Sequence, residues 1–279
     1  MIIGVFSWGF EKMENQRQLS PKEVSEPELS YFEFQAAFGF TKHTGGLKAT
    51  NELIELCYID KGKYVLEVGC GVGRAACYIA KRHGCRVMGV DISEGMIDRS
   101  NERAEREGVE DKVEFRVADV QDLPFKDNLF DAVIGESITA FPEDKQKAVG
   151  EYVRVAKPGG YVGFNETTWI ETAPPELAEY LSRMTGAKPE TPDGWRELLV
   201  DSGLRDVVVK TYKVNALDQW INEIRELDFR DYSRAWYRFL SLLIKSPACR
   251  RFAREALSMP GNIFSLFEYL GYGIYVGRK

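Results

Sequence analysis

Five short apolar or β-branched runs punctuate residues 64–166: 64–69 (YVLEVG), 86–91 (RVMGVD), 113–118 (VEFRVA), 130–135 (FDAVIG) and 160–166 (GYVGFNE). Helix-length stretches at about 74–84, 94–107 and 144–156 lie between them. An apolar run this short, without polar alternation, fits a strand covered on both faces. Intervening helices supply the cover, and they are long enough to cross over between parallel neighbours. The chain is therefore confined to an α/β sheet wound on both sides.

After residue 166 the rhythm changes. TAPPELAEYLSRM predicts a short helix, WRELLVDSGL a helix ending at Gly203, and DVVVKTYKV (206–214) a sixth strand. Residues 215–270 carry no strand pattern. Leu217, Trp220, Ile221, Ile224 and Leu227 follow helical spacing, as do Tyr232, Trp236, Phe239, Leu240 and Leu243, and Pro247 interrupts them. YGIYVGR (272–278) predicts a seventh strand. The expected organisation is a cap and lead-in helix over 1–60, an α/β core over 61–214, a helical insert over 215–270, and the last core strand over 271–279.

Composition narrows the function classes. The 279 residues include 37 Lys and Arg against 43 Asp and Glu, a net charge of −6. That balance lacks the basic footprint of a general nucleic-acid binder. No apolar run approaches the roughly 20 residues of a membrane span. Met1–Phe10 is apolar but has no basic flank and no small-residue cleavage site, so a signal peptide is not expected. Cys57, Cys70, Cys77, Cys85 and Cys249 form no C-x-x-C pair, and two histidines are too few to complete a Cys/His zinc set. A cytoplasmic protein without a metal site is expected.

The most informative segment is VLEVGCGVGR (65–74). A strand carrying Glu67 runs into a glycine-rich turn that opens a helix. Glycines let a ligand approach the backbone closely, and the helix start offers free N–H groups. Dinucleotide sites use this plan as G-x-G-x-x-G. Here the glycines are Gly69, Gly71 and Gly73, and Arg74 stands where the third fingerprint glycine belongs. Asp91, ending the second run, carries a carboxylate able to accept both hydroxyls of a ribose, or to cap the next helix.

The arrangement Glu67-x-Gly69-x-Gly71-x-Gly73 resembles motif I of the class I S-adenosylmethionine-dependent methyltransferases. MGVDIS (88–93), RVADVQDLPF (116–125), FDAVIGES (130–137) and VAKPGGYVGF (155–164) resemble the family's later motifs in the same order. The resemblance implies a seven-stranded, doubly wound sheet whose last strand is antiparallel, with S-adenosylmethionine as cofactor. It assigns cofactor binding to Glu67, Gly69, Cys70, Gly71, Gly73, Asp91, Ile92, Asp119, Val120 and Glu136. Glu67 would lie near the methionine amino group. Asp119 would take the adenine amino group, and the backbone N–H of Val120 a ring nitrogen. Simple members join strands six and seven by a short hairpin, whereas about 55 residues separate them here.

Marks of specialised relatives are absent. GESITAF after the fourth strand lacks the Pro-Pro-aromatic signature of amino-methylating DNA enzymes and the paired glutamates of protein arginine enzymes. No cysteine follows a proline, as a cytosine C5 nucleophile would. The expected reaction is therefore in-line methyl transfer to a small-molecule acceptor in a water-poor pocket, without nucleic-acid or membrane partners. His43 and Glu136 are candidate bases for it, His43 having a loop-structural role as its alternative. Tyr31, Trp220 and Trp236 are candidate acceptor contacts. A macromolecular acceptor gripped by the insert, with Arg250, Arg251 and Arg254 as its basic cluster, is one alternative; a non-catalytic cofactor-binding scaffold is another.

Overall fold

A computed structural model describes residues 43–213, 229–257 and 265–279. The strands are β1 (Tyr64–Val68), β2 (Arg86–Asp91), β3 (Val113–Val117), β4 (Phe130–Glu136), β5 (Ala156–Trp169), β6 (Arg205–Lys213) and β7 (Leu270–Arg278). The helices are α1 (Gly46–Leu56), α2 (Arg74–His83), α3 (Glu94–Glu107), α4 (Lys145–Val155), α5 (Pro175–Thr185), α6 (Pro192–Asp201), α7 (Phe229–Lys245), α8 (Pro247–Leu257) and the short α9 (Leu266–Tyr269). All seven strands read from the sequence are present, in the order β3-β2-β1-β4-β5-β7-β6. β7 runs antiparallel to both β5 and β6, as expected for the last strand.

Local chemistry sets the helix ends. α2 begins after Gly73 and ends at Gly84, both at positive φ near 71°, and its last turn carries Lys81, Arg82 and His83 against the negative end of the helix. Asp144 caps α4 by accepting from Lys147 N–H at 2.8 Å, and Thr191 caps α6 by accepting from Gly194 N–H at 3.2 Å. β6 lies at the sheet edge, where its charged residues Arg205, Lys210 and Lys213 discourage pairing with another chain.

Two apolar layers cover the sheet. On one face α1 and α2 press Leu53, Ile54, Cys77 and Ile79 against Val65, Val87, Ile134 and Ile274. On the other, α4 and α6 bring Tyr152, Val155, Trp195 and Leu199 onto Leu66, Val133, Phe164 and Tyr275. The fifth run extends further than its pattern suggested. β5 begins at Ala156, and its register against β4 jumps between the Phe130↔Ala156 and Ala132↔Tyr161 pairs. Lys157, Pro158, Gly159 and Gly160 thus form an irregularity within the strand. β7 begins at Leu270, one residue before the expected boundary.

Trp195 ties α6 to the sheet. It is fully buried, its ring centroid lies 5.5 Å from that of Phe164 and 6.1 Å from that of Tyr275, and its Nε1–H donates to Thr167 O at 3.3 Å. Trp195→Ala should cost about 3–5 kcal/mol, and Trp195→Phe distinctly less, in urea unfolding followed by circular dichroism. A loss below about 1 kcal/mol for the alanine variant would mean that α6 does not depend on this anchor.

Candidate active site

Strand order reverses direction between β1 and β4, and at such a point two crossovers diverge and leave a crevice at the C-terminal ends of the strands. A cavity of about 220 Å³ lies there. Glu67 of β1, Asp91 of β2, Glu136 of β4 and Glu166 of β5 all line it, joined by His43, Gly69, Cys70, Gly71 and Arg74. Strand alternation places Glu136 and Glu166 on opposite faces of the sheet. They meet in one cavity only because it sits over the sheet's end.

The turn after β1 requires its glycines. Gly69 has φ +65°, and a Cβ there would stand 2.4 Å from Cγ1 of Ile138. The N–H of Gly71 donates to Asp91 Oδ2 at 3.0 Å, and the N–H of Ser93 to Oδ1 at 2.9 Å. Both expected roles of Asp91 are thus compatible: it orders the start of α3 and keeps one lone pair on each oxygen for a ligand. Burial pushes its carboxyl above the ordinary range, while those N–H groups oppose the rise. Burial, with Glu67 and Asp91 nearby, pushes the Cys70 thiol well up, so it is no reactive thiolate.

Glu67 is 3% exposed, and its Oε2 is buried with no hydrogen-bond partner. Burial raises its carboxyl well above the usual range, and the negative charges of Glu136 and Asp91 raise it further. A buried, unpaired carboxylate oxygen is costly, and a bound cation relieves it.

Beside it lies a polar cluster on the α1 face. Thr50 Oγ1 donates to Glu136 at 3.0 Å and stands 3.3 Å from Nε2 of His43. Nδ1 of His43 stands 3.4 Å from Nδ2 of Asn165 and 3.5 Å from Glu136 Oε1. Asn165 Nδ2 also donates to Thr44 O at 2.6 Å. A Cβ on Gly45 would meet the Tyr272 ring at 2.7 Å, so the missing side chain makes room for β7.

The other expected site residues are more dispersed. Gly73 sits behind the cavity, where a Cβ would meet Phe115 and Ser100 at 2.9 Å. Ile92 is 64% exposed just beyond Asp91. Asp119 is exposed and accepts from Gln121 N–H at 2.8 Å, and Val120 is half-buried beside it. These three flank the cavity rather than line it. Trp236 is half-buried on α7 and meets Phe239 edge-to-face at 5.6 Å. Tyr31 and Trp220 lie outside the described residues.

Sequence reasoning missed the opposite wall. Glu166 is 1% exposed, and its Oε1 accepts from the N–H groups of Ile138 at 2.7 Å and Thr139 at 2.5 Å. Burial pushes its carboxyl up to about 7 against these donors. Leu181 and Thr185 of α5, with Ala187 and Pro189 after it, complete this wall. One signal was available: NETT (165–168) is a polar run at the ligand end of an otherwise apolar strand. Ser137, between the two walls, is a non-glycine residue at φ 55°. Strain of this kind gathers at ligand sites.

A methyltransferase-domain family model matches residues 65–160. An uncharacterized protein of Haemophilus influenzae is 35% identical over 179 residues, 62% of this chain and 71% of its own. Phosphoethanolamine N-methyltransferase 1 of Arabidopsis thaliana is 32% identical over 187 residues, 66% of this chain and 37% of its own. Among solved structures the [4+2]-cyclase SpnF superposes with a TM-score of 0.65 at 21% identity, covering 83% of this chain and 80% of its own. The chain belongs to the class I S-adenosylmethionine-dependent methyltransferases, and S-adenosylmethionine is its cofactor. It spans 37% of the Arabidopsis relative's length. The site fits that cofactor: Glu67 offers a carboxylate oxygen lacking a partner, and the glycines at 69 and 71 leave room for a ligand against backbone.

Glu166 holds its proton more tightly in the folded chain than in the unfolded one, where its carboxyl has an ordinary value of 4.5. Its contribution to stability is complete below that value and fades as pH rises through about 7. The ligand-free protein should therefore lose melting temperature between pH 5 and pH 8, and Glu166→Gln should remove part of that loss. Equal losses in both proteins, by scanning calorimetry, would show that the Glu166 carboxyl is ordinary.

Proposed function

We propose that this protein transfers a methyl group from S-adenosylmethionine to a small-molecule acceptor enclosed between the glycine turn and α5. The observation that carries the reading is the unpaired, buried Oε2 of Glu67 facing a cavity lined by three further carboxylates. Such a site suits a ligand bearing both an ammonium and a sulfonium group. The names of the relatives support a small acceptor: phosphoethanolamine for the plant protein, and a sterol for a Gibberella zeae relative 37% identical over 147 residues.

Each residue then has a distinct task. Glu67 and Glu136 hold the ammonium end, and the N–H groups of the glycine turn receive the carboxylate beside it. Asp91, already aimed by two backbone N–H groups, accepts from the ribose hydroxyls. Ile92 covers the adenine, and Asp119 and Val120 meet its edge. His43, with both ring nitrogens engaged, positions Glu136 and Thr44. S-adenosylmethionine supplies a methyl group on positive sulfur, open to in-line attack. The protein's contribution is alignment and exclusion of water.

A second reading follows from SpnF, a structural neighbour that carries the name of a cyclase. On that reading the chain binds cofactor without transferring methyl. Calorimetry with S-adenosylmethionine, followed by transfer assays with labelled methyl, separates the two: binding without transfer to any acceptor favours the scaffold.

Two substitutions test the cofactor contacts. Asp91→Ala should weaken cofactor binding about ten- to a hundredfold, the worth of one charge-assisted hydrogen bond. Glu67→Gln should weaken it similarly while leaving the ligand-free protein as stable or more so, because it removes a buried carboxyl that lacks a partner. A Glu67→Gln protein that loses stability yet binds cofactor normally would make Glu67 a structural residue.

A further inference from the structure

We propose that the methyl acceptor is an amine, and that Glu166 is the carboxylate that binds its ammonium form and takes its proton. This rests on the methyl-transfer reading and adds the acceptor class to it. Glu166 is on the cavity wall opposite the Thr50–Glu136–His43 cluster, among Leu181, Thr185, Ala187 and Pro189. It is buried, yet lines the cavity. The N–H groups of Ile138 and Thr139 fall on Oε1, and the Thr139 hydroxyl and the Ala140 N–H also stabilise the carboxylate, so the 138–140 turn fixes the carboxyl in place. None of the cofactor tasks assigned above uses this residue.

The charges around the cavity agree. Glu67, Asp91, Glu136 and Glu166 line it, and among the described lining residues only Arg74 and His43 carry basic groups. Arg74 opens α2 after the glycine turn, and His43 precedes α1. A phosphate or carboxylate acceptor entering beside Glu166 would meet repulsion, and an ammonium would meet attraction. Tyr152 on α4 and Tyr275 on β7 lie within electrostatic reach of Glu166, and Glu136 and His43 line the same cavity across from it. The Glu166 charge contributes to raising the Tyr152 and Tyr275 phenols, so neither offers a competing negative charge at neutral pH.

Proton affinities decide between amine and alcohol. A carboxyl near 7 takes a proton from an alkylammonium near 10 at a cost of roughly a thousandfold in equilibrium. From an alcohol, with an affinity near that of water at about 16, the cost is roughly a billionfold. The steps balance. The ammonium gives H⁺ to Glu166, leaving a neutral amine and a protonated carboxyl. The nitrogen lone pair forms the N–C bond as the C–S bond breaks, and that pair of electrons passes to sulfur. The product is a methylated ammonium with neutral S-adenosylhomocysteine, and Glu166 returns its proton to solvent when the cavity opens.

The test uses the full chain with methyl-labelled S-adenosylmethionine. Ethanolamine, putrescine and the low-mass fraction of a cell extract serve as acceptors, and products are separated by cation exchange at pH 7. Label should appear in a basic, N-methylated product. Glu166→Gln should lower kcat/KM for that amine at least a hundredfold and abolish an ascending pH limb with a midpoint near 7. Its affinity for S-adenosylmethionine, by calorimetry, should stay within about threefold. Without turnover, the ¹³C-carboxyl midpoint of Glu166 should fall by about one unit when the amine is added to protein holding S-adenosylhomocysteine. A neutral or anionic labelled product, or an unchanged pH profile in Glu166→Gln, overturns this inference and leaves methyl transfer standing. Cofactor binding with no labelled product overturns methyl transfer, and this inference with it. If Glu166→Gln does not fold, the charge of the wild-type product still decides.

Discussion

Four carboxylates converge at one end of this sheet, and the rest of the site is built around holding them there without a bound cation. Glu67 is the extreme case, with an oxygen that is buried and unpartnered while Glu136 and Asp91 add to its burden. The others are held by donors: Asp91 by Gly71 and Ser93, Glu136 by Thr50, Glu166 by Ile138 and Thr139. Each donor comes from a turn or helix outside the strand carrying the acid. The architecture spends rigid backbone and side-chain donors to keep negative charge where a positively charged ligand would dock.

Rigidity of that kind needs anchoring on both faces. On the α1 face, Asn165 links β5 to the lead-in residues His43 and Thr44, while Gly45 lets the Tyr272 ring pass close by. On the other face, Trp195 fastens α6 against Phe164 and Tyr275 and reaches the backbone of Thr167, next to Glu166. The two anchors act on neighbouring β5 residues whose side chains point in opposite directions. Strand alternation thus lets one strand serve the cofactor side through Asn165 and the α5 wall through Glu166.

Fold and family name the cofactor, and they leave the chemistry of the second reactant to the wall of the cavity. The likeness to a cyclase shows how far the same scaffold carries different names. In this chain that wall is the segment from Glu166 to Pro189, where a buried acid lines the cavity with Leu181, Thr185, Ala187 and Pro189. The segment lies wholly beyond the region matched by the methyltransferase-domain model, which ends at residue 160.

The sequence by itself determined the seven strands, their parallel winding and the glycine turn, while the antiparallel last strand was implied by the resemblance to the family. The first three are written locally, in apolar runs, helix-length spacers and the spacing of Gly69, Gly71 and Gly73. It also marked Glu67, Asp91 and Glu136, because a carboxylate ending an apolar strand is visible in a short window. It did not reveal the irregular start of β5, since Pro158 and two glycines read as a turn until β4 is laid beside them. Nor did it assign Gly45 its neighbour, because Tyr272 is more than two hundred residues away. Glu166 was decided only by tertiary structure. Its burial, its backbone donors and its opposite wall come from β4–α4, β5 and α5 meeting at one point. A carboxyl's proton affinity is set by what surrounds it in space, and no stretch of chain around Glu166 contains those surroundings.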